Sequence, residues 1–221
     1  MNERLRRSAA HLLVDDVIAP VVDDTAEHHL RRVLRVRHGE EVSVTDGRGG
    51  WRICAWSAAG LEPLTEVVTE PSPDPVTVVV AVPKQDRPEW IVAKLAEIGV
   101  DEVRFVLAER SVVRWDGGRA ERNVERFAAV ARSALEQSRR VWACRVSAPV
   151  PAWQVLGGLP MAEPGGRAIS ASDRSIAIGP EGGWTPEELG LGSERVDLGP
   201  NVLRVETAAL LAGVVMTGHR R

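Results

Sequence analysis

Ile178-Gly-Pro-Glu-Gly-Gly-Trp184 and Leu198-Gly-Pro-Asn-Val-Leu-Arg-Val-Glu-Thr-Ala208 are the stretches of this chain whose residue types could do chemistry. Glycine lacks Cβ, so Gly179, Gly182, Gly183 and Gly199 can bring backbone amides and carbonyls close to a ligand. Pro180 and Pro200 fix φ and stiffen each turn. The two turns lie close together near the C-terminal end, which points to one ligand pocket built from both. The first is not a phosphate loop, since no Gly-Lys-Ser/Thr follows, and it lacks the Gly-x-Gly-x-x-Gly spacing of a dinucleotide fold. Arg204 and Glu206 flank Val205 in the second stretch. For either alone the plainer reading is a surface ion pair, or a glutamate placed at a helix N-terminus. Glu181 reads equally well as a capping carboxylate.

The elements around these turns have the pattern of an α/β domain. Ser175-Ile-Ala-Ile178 reads as a strand before the first turn, and Thr185-Pro-Glu-Glu188 as a helix start after it. In an open α/β sheet, ligands sit beyond the carboxyl ends of strands, where this turn falls. Upstream, Val76–Val82 is a continuous apolar run suited to a buried parallel strand. Pro88–Ile98 reads as a helix with Ile91, Val92, Leu95 and Ile98 on one face, stopped by Gly99. Val103–Leu107 is the next strand. Arg119–Ser138 is a long helix with Val124, Phe127, Ala128, Ala131, Ala134 and Leu135 at helical spacing. Val146 falls on a further short strand, and Val205–Met216 is a C-terminal helix.

Residues before this region have a different character. Glu41–Thr45 and Trp51–Trp56 flank Asp46-Gly-Arg-Gly-Gly50, a β-hairpin signal. Glu66–Pro75 is rich in proline and reads as a linker. The expected organisation is a small β-rich domain over 1–70 and an α/β domain over 76–221.

Net charge is −3, so bulk charge does not announce a nucleic-acid binder. Only Lys84 and Lys94 are lysines. Arginine suits bidentate phosphate contacts, and a GC-rich coding bias gives the same composition. In His28–His38, Leu30, Val33 and Leu34 are expected to face the core and Arg31, Arg32 and Arg35 the outside. Such a face can hold phosphates or simply be solvated. Arg139 and Arg140 close the long helix, where cations suit the negative end of the helix dipole and equally RNA phosphates. His28 and His29 are adjacent and do not share a helical face, and Cys54 and Cys144 form no Cys-x-x-Cys, so no metal set is expected. Two unpaired thiols fit a reducing compartment. No apolar run approaches the roughly 20 residues that span a bilayer. The N-terminal residues lack a signal-peptide core, so the expected location is the cytoplasm, with no membrane partner.

Taken together, the chain resembles the bacterial 16S ribosomal RNA uracil-N3 methyltransferases of the SPOUT superfamily over nearly its whole length. The resemblance rests on the order and spacing of His28–Arg35, Lys84-Gln-Asp-Arg87, Lys94–Val100, Glu109–Val113, Glu136–Arg140, Ile178–Gly183 and Leu198–Ala208. It implies a PUA-like β-barrel domain, then a SPOUT-type α/β domain with a C-terminal trefoil knot, a feature otherwise nearly absent from proteins. It implies a homodimer with the active site near the subunit interface, and S-adenosyl-L-methionine as cofactor. Gly179, Glu181, Gly182 and Gly183 would line one side of the cofactor pocket, and Leu198, Gly199, Leu203 and Arg204 the other. Arg31, Arg32, Arg35, Lys84, Arg87, Arg110 and Arg140 would grip 16S rRNA, in the assembled 30S subunit. Val205 stands where the family has Thr, Cys144 where Pro is usual, and an aromatic is missing near Arg6–Ala10. These departures leave the cofactor loops intact and bear on RNA contacts.

The implied reaction is an in-line displacement. Uracil N3–H must lose its proton before the nitrogen can attack. Arg204 is expected to stabilise the imide anion, and Glu206 to take the proton or to orient Arg204. N3 lies on the Watson–Crick edge, so the target base must be unpaired or flipped out. Two other readings are a SPOUT methyltransferase acting on a ribose 2′-OH and a non-catalytic RNA-binding assembly factor with no affinity for S-adenosylmethionine.

Overall fold

In the computed structural model, which describes residues 2–84, 87–111 and 117–220, the chain divides into two units. Residues 1–72 and 135–143 form one, and residues 73–134 and 144–221 the other. Gln85 and Asp86 of the Lys84–Arg87 motif, and Val112 and Val113, lie outside the described residues.

The first unit contains α1 (Glu3–Arg7), β1 (Ala10–Leu13), α2 (Asp24–His28), β2 (Glu41–Thr45), β3 (Gly50–Ser57), β4 (Gly60–Pro63) and β5 (Val68–Thr69). Strands β1 to β4 pair in sequence order, and β5 adds to β3. The expected hairpin is β2 against β3, antiparallel, with Thr45 opposite Trp51. Its turn is held by the Asp46 carboxylate, which accepts the N–H groups of Arg48 and Gly50. Val42, Val44, Cys54 and Trp56 pack with Leu12 and Leu30 on one side of the sheet. Trp51 and Ile53 pack with Leu5 and Val141 on the other.

Two expectations for this region need correction. The segment read as linker contributes β5, which pairs with Gly50 and Trp51. In the basic stretch, Leu30 is fully buried but Val33 and Leu34 are exposed. After α2 the chain runs as a π-helix over His29–Val33, and Arg35 takes a φ of 54°. The wider turn and the left-handed step break the 3.6-residue register, so Val36 turns inward instead.

A buried polar chain runs through this unit. Arg139 donates to Ser8 Oγ at 2.6 Å, Ser8 Oγ lies 2.8 Å from Ser43 Oγ, and Ser43 Oγ lies 2.8 Å from His11 Nδ1. His11 Nε2 donates to the Arg140 carbonyl at 2.9 Å. A carbonyl only accepts, so His11 carries its proton on Nε2 and Nδ1 accepts from Ser43. Burial, helped by the charge of Arg139 and opposed by the Arg140 carbonyl, pushes the imidazole from 6.5 down to about 4. The unfolded chain therefore binds a proton between those values that the folded chain refuses, and stability falls as pH drops from about 6.5 to about 4. The full effect is about 3 kcal/mol. Urea unfolding of wild type and His11→Gln at pH 7.5 and pH 4 is the check: the wild type is expected to lose about 2–3 kcal/mol more than the variant. Equal losses would remove His11 as the cause.

The second unit is built on a six-stranded parallel sheet. Its elements are β6 (Thr77–Ala81), α3 (Arg87–Ile98), β7 (Glu102–Leu107), α4 (Gly117–Ser138), β8 (Arg145–Pro151), β9 (Pro160–Ala168), β10 (Ser175–Ile178), α5 (Pro186–Leu189), β11 (Glu194–Asp197) and α6 (Val205–Thr217). The last turn of α4, from Leu135, belongs to the first unit. The strand order is β11-β9-β10-β6-β7-β8, every pair parallel. Central β6 is buried on both faces, as its β-branched run Thr77–Val80 requires. Val78 and Val80 pack with Leu95, Phe105, Phe127 and Met216, while Val79 and Ala81 pack with Met161, Ala177 and Trp184. Gly213 lets α6 approach α3, since a Cβ there would stand 2.8 Å from Leu95 and 2.9 Å from Ile98. On α4 the apolar stripe is narrower than the spacing suggested. Phe127, Ala131, Ala134 and Leu135 are buried, Val124 is half-buried, and Ala128 is exposed. One residue past Phe127 is a turn of about 100°, which carries Ala128 to the outer face.

Candidate functional site

Because all six strands of the second unit are parallel, the segments that leave their carboxyl ends emerge along one edge of the sheet. Arg87 follows β6, Arg110 follows β7, residues 179–184 follow β10, and residues 198–204 follow β11. The last two segments share a cavity of about 260 Å³. That is near the low end of the roughly 300–1,000 Å³ of small-molecule sites. Its apolar wall includes Ala162, Ile178, Leu198, Leu203, Val205 and Ala208, and its polar rim includes Glu163, Glu181, Asp197 and Asn201.

Each loop is fixed by contacts local to it. In the first, the Gly183 N–H returns to the Pro180 carbonyl at 2.8 Å, and Gly183 takes a φ of 70° that a side chain would oppose. Trp184 is buried beneath the loop, and a Cβ on Gly179 would stand 2.9 Å from its Nε1. Arg110 donates to the carbonyls of Gly182 and Trp184. The loop ends in a capping box: Thr185 Oγ1 accepts from the Glu188 N–H, and the Glu188 carboxylate accepts from the Thr185 N–H. Glu188 also accepts from the Glu109 N–H at 2.9 Å, which ties α5 to the end of β7.

The second loop is organised by Asp197. Its carboxylate accepts the N–H of Gly199 at 2.8 Å and that of Gly165 at 3.1 Å, and these bonds hold its pKa below the usual carboxylate range. Gly165 belongs to an excursion of β9. The ladder between β9 and β11 jumps from Met161 opposite Arg195 to Arg167 opposite Val196. The intervening residues leave the ladder, and Ala162, Glu163 and Pro164 line the cavity. Arg167 holds the strand beyond the excursion through Asp173 and Glu194.

Gly179, Glu181, Gly183, Leu198, Gly199 and Leu203 line this cavity; Gly182 and Arg204 are not in its lining. Gly182 faces Arg110 instead, with a Cβ position 3.3 Å from that side chain. Arg204 occupies the N-cap of α6, exposed, and its guanidinium makes no hydrogen bond or ion pair among the described residues. Glu206 sits in the first turn of α6. Its Oε1 is 3.6 Å from Arg87 Nε, and its buried Oε2 has no hydrogen-bond partner. Arg87 also reaches Glu181 Oε1 at 3.2 Å and so bridges two acidic residues. Lys84 is exposed. Arg31, Arg32 and Arg35 are exposed in the first unit, where Arg31 pairs with Glu27 and lies over the Trp56 ring. Arg140, half-buried, belongs to that unit as well.

Residues 162–164 and Asp197 are cavity residues that lie outside the two stretches singled out in the sequence. The Asp197-x-Gly199 spacing is an Asx-turn signal that could have found Asp197. Among the described residues no three His, Cys, Asp or Glu side chains gather as a metal site requires. No described helix is long and apolar enough to cross a membrane.

Comparison with known proteins gives a consistent picture. Residues 70–217 match the family model of an RNA methyltransferase domain, and residues 22–62 that of an RNA methyltransferase PUA domain. Ribosomal RNA small subunit methyltransferase E of Mycobacterium bovis is 33% identical over 226 residues, covering 90% of this chain and 86% of that protein. The crystal structure of ribosomal RNA small subunit methyltransferase E from Neisseria gonorrhoeae bound to S-adenosyl methionine is 25% identical. It covers 95% of this chain and 97% of that one with a TM-score of 0.81. A probable rRNA-methyltransferase from Porphyromonas gingivalis is 29% identical with a TM-score of 0.78, covering 96% of this chain and 100% of that one.

Proposed function

Because the chain belongs to the RNA methyltransferase family that includes ribosomal RNA small subunit methyltransferase E, we propose that it methylates N3 of a uridine in 16S rRNA, within the assembled 30S subunit, using S-adenosylmethionine. The observation that carries this reading is the single cavity shared by the two glycine-rich loops at the carboxyl edge of the sheet. Its lining suits that cofactor: an apolar floor for a purine, a carboxylate rim for a cation, and loop amides free to bond. No hydrogen bond joins the N–H of Leu198 or Leu203 to another described residue. Gly179, Glu181, Gly183, Leu198, Gly199 and Leu203 would hold the cofactor directly, with Gly182 shaping the loop through Arg110. S-adenosylmethionine supplies a methyl group on a positively charged sulfur.

The chain's own residues supply the rest. Arg204, exposed at the mouth of α6, reaches out to the uracil carbonyls and stabilises the anion of the deprotonated ring. Glu206, behind it, takes the N3 proton or steadies Arg204. The flipped-out base is brought to the cavity by residues that grip RNA. In this assignment the PUA-like domain spans 1–70 and the SPOUT domain 76–221, with a C-terminal trefoil knot, a homodimer and a cytoplasmic site of action. Light scattering on the purified protein tests the dimer.

The decisive experiment has two arms. Calorimetry with S-adenosylmethionine is expected to show one site per chain. Incubation with 30S subunits from a strain lacking the activity, followed by nucleoside mass spectrometry, is expected to yield 3-methyluridine. A 2′-O-methylated product, or no binding of the cofactor, would defeat the proposal.

The RNA grip has its own test. Arg31 and Arg32 are exposed, and the one ion pair they make among the described residues, Arg31 with Glu27, is solvent-exposed and so weak. The double charge reversal Arg31→Glu, Arg32→Glu is expected to raise KM for 30S subunits by about tenfold or more and to lower the log–log salt slope by about 1–2. An unchanged KM and slope would place the RNA footprint elsewhere.

A further inference from the structure

The cavity's charge is one-sided. Glu163, Glu181 and Asp197 line it, and no Lys, Arg or His does so among the described residues. Two of the three carboxylates are committed. Asp197 is held by the N–H groups of Gly199 and Gly165, and Glu181 is paired with Arg87. Glu163 is different: half-buried, it has no hydrogen bond or ion pair among the described residues. It is also deliberately placed. The excursion of β9 that carries it is pinned at Gly165 by Asp197 and beyond Gly166 by Arg167. A regular strand would have kept Glu163 in the ladder; the break brings it into the lining. A second polar group among the lining residues, Trp184 Nε1, is buried without a partner.

Building on the methyl-transfer reading, we propose that Glu163 is a specificity-determining residue that reads the positive charge of the ligand. It favours the sulfonium cofactor over the neutral thioether that remains after transfer. S-adenosylmethionine and S-adenosylhomocysteine share the adenosine, the ammonium and the carboxylate, and differ by one methyl and one positive charge. A carboxylate that attracts the sulfur-centred charge holds the substrate and lets the product go. The same carboxylate, placed at the common amino-acid end, would hold both equally.

Calorimetry on the full chain separates these cases with three probes: S-adenosylmethionine, S-adenosylhomocysteine, and an analogue with an amine-bearing carbon in place of the methylated sulfur. Wild type is expected to prefer the two cationic probes, and raising salt is expected to shrink that preference. Glu163→Gln is expected to weaken both cationic probes about tenfold, or about 1.4 kcal/mol, and to leave S-adenosylhomocysteine within about twofold. Glu163→Asp, which keeps the charge, is expected to keep the order. Equal weakening of all three probes, no weakening of any, or a wild-type preference that is absent or indifferent to salt would each overturn the inference. The salt series on wild type decides even where a variant folds poorly. A wild-type chain that binds none of the probes would instead sink the methyl-transfer reading, a distinguishable outcome.

Discussion

Glu206→Gln is expected to lower kcat by about 100-fold or more while leaving the dissociation constant of S-adenosylmethionine within about twofold. The split follows from position. Val205 and Ala208 line the cavity, and Glu206, between them on α6, is not in the lining. Its carboxylate is held near Arg87 by Oε1, while Oε2 is enclosed and unpartnered. A buried carboxylate oxygen without a hydrogen bond is costly, and its persistence is explained if a substrate N–H completes it. Glutamine keeps the shape and removes the proton acceptor. An unchanged kcat would end the base assignment, and a large loss of cofactor affinity would move Glu206 into the cofactor's own shell. Whether Glu206 acts alone or by orienting Arg204 is read from the double variant with Arg204→Lys. Residues working as one unit give strongly non-additive losses. No hydrogen bond or ion pair joins the two side chains, so near-additive losses are expected, and strong non-additivity would show that Glu206 works through Arg204.

Parts of this architecture were legible in the sequence because local and tertiary forces agree there. Val76–Val82 is buried on both faces apart from half-buried Thr77, and a run β-branched at every position but Ala81 is what such a strand needs. Thr185-Pro-Glu-Glu188 carries its own cap, so α5 starts where the sequence says. The two glycine-rich turns were legible because proline and glycine dictate backbone more than context does. What was missed depends on partners distant in sequence. Pro160–Ala168 contains Pro164-Gly165-Gly166 and reads as irregular, yet β11 and β10 flank it and draw it into the sheet. Glu194–Asp197 is a polar edge strand with one buried residue, Val196, too little for a periodicity signal. Val33 and Leu34 were placed inside by helical spacing, and the π-helix changed the spacing. At the site, the loops were found but the third wall was not, because Glu163 reaches the cavity only through the break in β9. The bridge from Arg87 to Glu181 and Glu206 joins residues far apart in the chain and has no local signature.

Gly166→Ala is expected to cost about 3 kcal/mol and to lower Tm by about 6–12 °C, with cofactor affinity weakened at least about tenfold. A Cβ at Gly166 would stand 2.2 Å from the Arg195 carbonyl oxygen, 2.3 Å from its carbon and 2.6 Å from the Val196 nitrogen. All three are backbone atoms, so no side chain can swing away to make room. Either β11 must retreat or the β9 excursion must unwind, and both lead to the cavity. If β11 moves, it carries Asp197, and with it the bond that sets Gly199 and the second loop. If the excursion unwinds, Glu163 and Pro164 leave the lining. Gly165→Ala is the internal comparison. Gly165 has a φ of 79°, but nothing lies within 4 Å of its Cβ position, so only backbone strain of about 1–2 kcal/mol opposes the change. Thermal unfolding and cofactor titration of the two variants side by side therefore separate contact from conformation. If Gly165→Ala proves the more damaging, the close approach of β9 to β11 is not what shapes this wall of the site.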